Sequence, residues 1–192
     1  MSLDRETLYR GLSHAAWGYF FLHIHFKLNR VDILPVFVGW LLLLSACQKL
    51  AGARRDLALL RPLEVLMAVW NGADWLAAWM GQSVKGHILF LDLLVAVAVL
   101  YVHFQFITDM AALAEQYQPE KGGLDRKLRR RRTVYLLVAT GVDLLLTLPG
   151  GRHEEVRAYA GVALTVAGIA AALLVMAGLF ELRRYVREAG EE

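Results

Sequence analysis

His23, His25, Asn71, Asp74, Asp92 and Asp143 stand inside otherwise apolar stretches of the chain. Carboxylates and imidazoles are costly to remove from water, so their presence in such stretches points to function. If they converge, three carboxylates and up to two imidazoles form a site for a cation, a proton or an amine-bearing solute. His and Asp are also common ligands of divalent metals. Asn71 lies three residues before Asp74 and shares its helix face. Trp75, beside Asp74, could wall the same pocket through a cation–π contact. Each residue also has a plainer use: an Asp can cap or bond a neighbouring helix, and a His can sit at headgroup level. His23 and His25 are two residues apart, about 200° around a regular helix, so both reach one site only if the backbone departs from α geometry there.

The elements that must position these groups follow from composition. Of 192 residues, 57% are hydrophobic, more than the roughly 45–50% of ordinary soluble domains. Windows at 12–28, 33–49, 62–81, 87–108, 133–149 and 159–182 are nearly free of charge, and about 20 helical residues cross a bilayer core. The expectation is an all-α integral membrane bundle of six transmembrane helices, with residues 1–192 forming one domain. Counted inward at about 1.5 Å per residue, His23, His25, Asp74, Asp92 and Asp143 then lie at similar depth in the outer half.

Among the 21 Lys and Arg residues, all but Lys27, Arg30, Lys85, Arg152 and Arg157 fall on one side of this layout. The positive-inside rule places that side, with both termini, in the cytoplasm. The net charge of +3 is therefore mainly a topology signal. The run "KLRRRR", residues 127–132, could also touch anionic lipid, and no nucleic-acid partner is expected. The lone Cys47 excludes an internal disulfide. "LSAC", residues 44–47, follows an earlier apolar segment and so is read as helix, not as a lipoprotein cleavage box; no secretion signal is evident at the N-terminus.

The last window repeats small residues at spacings of four, among them Ala163, Ala167 and Ala171, and Gly168 and Ala172. Such a face packs closely within the bundle or against a membrane protein partner. His103, Gln105 and Asp109 form a second, thinner polar group toward the cytoplasmic side, either a continuation of the path or a solvated helix end. An echo between "FLHIHFKLN" and "YVHFQFITD" hints at inverted repeats but is not sustained along the chain. No G-x-S-x-G, H-E-x-x-H, C-x-x-C or phosphate-cradling loop is present. The sequence thus nominates no catalytic residue and no cofactor, and points away from an enzyme.

The stretch "VDILPVFVGWLLLLSACQKL", residues 31–50, carries Asp32 to Pro35, then Phe37 and Gly39, then Lys49 and Leu50. It resembles the second helix of a family of small uncharacterised bacterial polytopic membrane proteins, with Val36 where that pattern has an acidic residue. The resemblance implies a multi-pass helical bundle of a bacterial plasma (inner) membrane and no particular activity. In size and layout the chain is also similar to the substrate-binding components of energy-coupling vitamin transporters, which is analogy of architecture only. The leading expectation is a transporter, or its membrane component, binding a small cationic or polar solute. A non-catalytic partner or sensor subunit and a metal-dependent membrane enzyme are the alternatives.

Overall fold

The computed structural model describes residues 4–24, 27–28, 31–32, 34–84, 89–120, 122–147 and 154–189. These form six helices: α1 Arg5–His23, α2 Val36–Leu50, α3 Leu57–Trp79, α4 Leu89–Tyr117, α5 Leu124–Thr147 and α6 Glu154–Glu188. A two-residue antiparallel pair, β1 Lys27–Leu28 with β2 Val31–Asp32, joins α1 to α2, so the class is all-α. Each expected window holds one helix. Among the described residues, two helical stretches, Leu89–Tyr117 and Arg157–Glu188, are long and apolar enough to cross a membrane.

Several helices outrun the expected windows, for local reasons. α3 starts before Pro62 because i→i+3 bonds such as Leu57 N–H to Arg54 O carry the preceding turn into it. α4 continues past Thr108 because Asp109 is satisfied by neighbours and Met110, Ala111, Leu113 and Ala114 are buried. α5 begins at Leu124, so the basic run is helical, with Leu128 facing the core between its cations. Gln118 caps that start. Its Oε1 accepts from Leu124 N–H (2.6 Å) and Asp125 N–H (3.2 Å), while its Nε2 donates to Asp125 Oδ1 (2.9 Å).

The helices pack in chain order as a ring, α1 to α6, and α6 closes on α1. Two arginines pin this ring by the same device. Arg183 of α6 lies over the Tyr9 ring at 4.9 Å and donates to Ser13 Oγ, whose hydroxyl donates back to Tyr9 O. Arg132 of α5 lies over Phe104 of α4 at 4.4 Å and donates to Thr108 Oγ1, which donates back to Phe104 O. The first pin sits at the end of the bundle where α1 begins and α6 ends, and the second midway along α4.

That end is tightly packed and the other is not. Leu8, Leu12, Leu43, Leu50, Leu57, Phe106, Leu179 and Leu182 are fully buried there. Among the described residues, none is buried in 89–101 of α4, 136–145 of α5 or 155–170 of α6. Of the small residues on α6, Ala171, Ala172 and Gly178 are buried, whereas Ala163 is exposed.

α1 and α2 approach closely enough to bring backbone against backbone. A Cβ on Gly39 would lie 2.9 Å from the Leu22 backbone nitrogen and 2.8 Å from its Cγ. A Cβ on Gly18 would lie 3.2 Å from Gly39 O. Small residues allow this approach, and it fixes Leu22 and its neighbour His23 against the second helix. Gly39→Ala is expected to cost about 1–3 kcal/mol of stability through overpacking. Gly72→Ala, whose Cβ would meet only Phe37 at 3.9 Å, should be neutral or stabilising; thermal denaturation of the two variants distinguishes them.

The cap at α5 adds a pH dependence. The Gln118 amide, then the Arg126 backbone N–H, hold the Asp125 carboxyl below its ordinary value of 3.8. A depressed folded-state value gives stability that is fully present above the ordinary value and lost as the pH falls through the lowered one. The stability gap between the parent and Gln118→Ala should therefore narrow, without vanishing, when denaturation is followed from neutral pH to below about 3.

Candidate functional site

The loose half of the ring encloses a cavity of about 700 Å³ whose walls come from α1 to α5. His23 reaches it from α1, Trp40 from α2, Trp70 and Asn71 from α3, Asp92 and His103 from α4, and Tyr135 and Asp143 from α5. Of the residues nominated from sequence, His23, Asn71, Asp92 and Asp143 thus line one space.

The other three nominees are placed differently. Asp74 Oδ1 accepts from Ser83 Oγ (3.0 Å) and Val84 N–H (2.9 Å), closing the turn that follows α3. Asn71 and Asp74 are about 60° apart on the helix, enough for one to line the cavity and the other the turn. Trp75 packs edge-on against Phe37 and Trp79, at 5.7 and 5.8 Å, instead of lining the cavity. His25 lies outside the described residues.

Beneath the carboxylates is a group of hydrogen-bonded rings. His23 Nδ1 lies 2.9 Å from the Tyr19 carbonyl, which can only accept, so Nδ1 carries the hydrogen. In the neutral ring Nε2 then accepts from the Tyr135 hydroxyl at 2.8 Å. The Tyr19 hydroxyl meets His103 Nδ1 at 3.0 Å. The Tyr19 and His23 rings stack almost parallel, 6° apart, and His103 is enclosed by Trp40 and Tyr135 at 5.6 and 5.1 Å. One imidazole is thus locked in orientation by a backbone carbonyl and the other by ring packing. Both remain in the cavity wall.

His103 belongs to this cavity and not to the inner polar group expected from sequence. The spacing carries the reason: eleven residues separate Asp92 from His103, about three helical turns, which puts both on one face. The same arithmetic leaves Tyr135 and Asp143, eight apart, within about 80° of each other on α5. Trp40, Trp70 and Tyr135 are wall residues that sequence reasoning did not nominate for a site, because an aromatic in an apolar window reads equally well as core or as lipid contact.

Deeper in the tight half is a second polar layer. Gln105 Nε2 and Arg54 Nη2 donate to the two oxygens of Asp109, at 3.1 and 3.4 Å, tying the α2–α3 turn to α4. Glu64, which sequence reasoning missed, is fully buried, and its Oε1 accepts from Cys47 Sγ–H at 2.9 Å. Its Oε2 is buried without a hydrogen bond. Such an oxygen costs about 1–3 kcal/mol, and apolar replacement of buried ionic groups is often neutral or stabilising. Glu64→Met should therefore raise the melting temperature or leave it unchanged, and Cys47 should resist maleimide until the protein is denatured. A large loss of stability in Glu64→Met would assign the carboxylate a structural role.

Among the described residues, no three His, Cys, Asp or Glu side chains come close enough to hold a metal ion together. The metal-dependent alternative therefore has no ligand set within them. No protein-family model, curated protein or solved structure matches this chain.

Proposed function

We propose that the chain is a multi-pass plasma-membrane protein whose cavity binds a small cationic or polar solute, as a transporter or as the membrane-embedded binding component of one. The observation that carries this reading is the meeting of Asp92 and Asp143, from two different helices, with His23, His103 and three aromatic side chains in one cavity. Its volume of about 700 Å³ is within the range of small-molecule sites, about 300–1,000 Å³.

The chemistry of the walls favours a cation with an apolar body. Two carboxylates supply negative charge, and the faces of Trp40, Trp70 and Tyr135 offer the ring quadrupoles that attract ammonium groups. The histidines and Asn71 add polar groups to orient the solute. Tight packing beyond His103 closes the cavity at the opposite end, so a solute would enter and leave from the side of the α1–α2 hairpin in this conformation.

The outer surface supports the bilayer placement. Leu93, Val97, Leu137, Leu144, Val162 and Val166 are all more than half exposed, a belt that water would not favour. These residues lie on helices whose inward side is the cavity, so a bilayer would cover one side while the solute occupies the other.

Binding of a panel of organic ammonium compounds and their neutral isosteres, measured by calorimetry on purified protein, tests the proposal. Asp92→Asn and Asp143→Asn should each weaken the preferred ammonium ligand more than tenfold, since unpairing a buried charge costs about 2–5 kcal/mol. Asp74→Asn should leave affinity unchanged. Equal binding of neutral and charged compounds, or equal affinity in all three variants, would overturn it.

A further inference from the structure

We propose a second binding site, for an anionic phospholipid, in the cleft between α5 and α6. This cleft of about 350 Å³ is lined by Lys127, Arg130 and Arg131 together with Val134, Ala171 and Leu174. Residues 127, 130, 131 and 134 follow the i, i+3, i+4, i+7 spacing that places side chains on one helix face. Three cations and an apolar residue therefore share a single stripe of α5 opposite the apolar wall of α6.

The three cations are differently engaged. Arg131 Nη1 donates to the Leu174 carbonyl at 2.8 Å, an approach that Gly178 permits, since a Cβ there would lie 2.8 Å from the same nitrogen. Lys127 Nζ lies 3.4 Å from Glu181 Oε1, an acceptor already shared with the Tyr185 hydroxyl. Arg130 is exposed and has no hydrogen bond or ion pair among the described residues. With one acid facing three bases, the mouth of the cleft keeps net positive charge.

A free phosphate would need only the cations. Here the cationic mouth continues into an apolar cleft, and past it into exposed Leu137 on α5 and Val166 on α6. A ligand matching both parts has an anionic head and a hydrocarbon tail. Head at Arg130 and tail along Val134 and Leu174 is the pose a membrane phospholipid takes at a bilayer surface, where basic residues attract anionic leaflets. This inference rests on the membrane reading and is independent of the solute cavity.

The test uses the full chain, purified and delipidated in neutral detergent. Phosphatidylglycerol, phosphatidylcholine and inorganic phosphate are titrated separately while thermal stability and native mass are followed. Phosphatidylglycerol should raise the melting temperature and remain bound in native mass spectra, and the other two should do neither. Arg130→Gln should weaken phosphatidylglycerol about fivefold, from roughly 1 kcal/mol per cation at a membrane surface. Arg126→Gln, which removes the same charge from a neighbouring exposed position outside the cleft, should not.

Equal stabilisation by phosphatidylcholine, equal loss in the two Arg variants, or full effect of phosphate alone would each overturn the lipid site. Carbonate extraction of membranes from expressing cells reads the membrane placement separately. Release of the chain by carbonate would reject that placement, and retention with no lipid preference would reject only the site.

Discussion

The approach of α1 to α2 at Gly18 and Gly39 is the contact on which the rest of the arrangement depends. Because neither glycine carries a Cβ, the helices meet backbone to backbone, with Gly39 against the nitrogen of Leu22. The residue after Leu22 is His23, whose ring bonds to the Tyr19 carbonyl one turn earlier and to Tyr135 across the bundle. A larger residue at position 39 would push α1 outward and move that imidazole away from α5. The stretch that looks like a simple helical hairpin is thus also what sets the reach of the first helix into the cavity.

From this pair the fold develops in two storeys. The storey holding the termini is closed by leucines and alanines and by the Arg183 pin, and its polar groups are bonded to one another except at single buried atoms of Arg54, Arg61 and Glu64. In the other storey the helices diverge, and polar and aromatic side chains line the space between them. The division matches the charges along the chain. Two of the arginines, Arg132 and Arg183, each span a helix pair with the guanidinium over a ring and a donor on a hydroxyl, an arrangement lysine's point charge would reproduce poorly.

Much of this was legible in the sequence, and what was not has specific physical causes. Charge-free windows located all six helices, but not their ends, because capping by Gln118 and burial of Leu124 and Leu128 extend α5 through a run of arginines. Depth counting found Asp92 and Asp143 at one level, yet depth gives no rotation. Asp74 has similar depth and points to a turn instead. His103 was assigned inward by depth although its spacing from Asp92 carried the correct face. Glu64 was passed over because one acid near a helix end reads as surface until its neighbours are known.

The arginine pins carry one more consequence. Each joins two helices through a hydroxyl that is itself tied to the turn behind it, so neither pin can lengthen gradually; it is made or broken. The Arg183 pin lies at the narrow end of the ring, whereas the Arg132 pin lies beside the cavity floor, next to His103 and one turn before Tyr135. Parting α6 from α1, or α5 from α4, at these positions must release a guanidinium from its ring. The ring is thus pinned at its base and again beside the cavity floor, while 89–101 of α4, 136–145 of α5 and 155–170 of α6 hold no buried residue among those described.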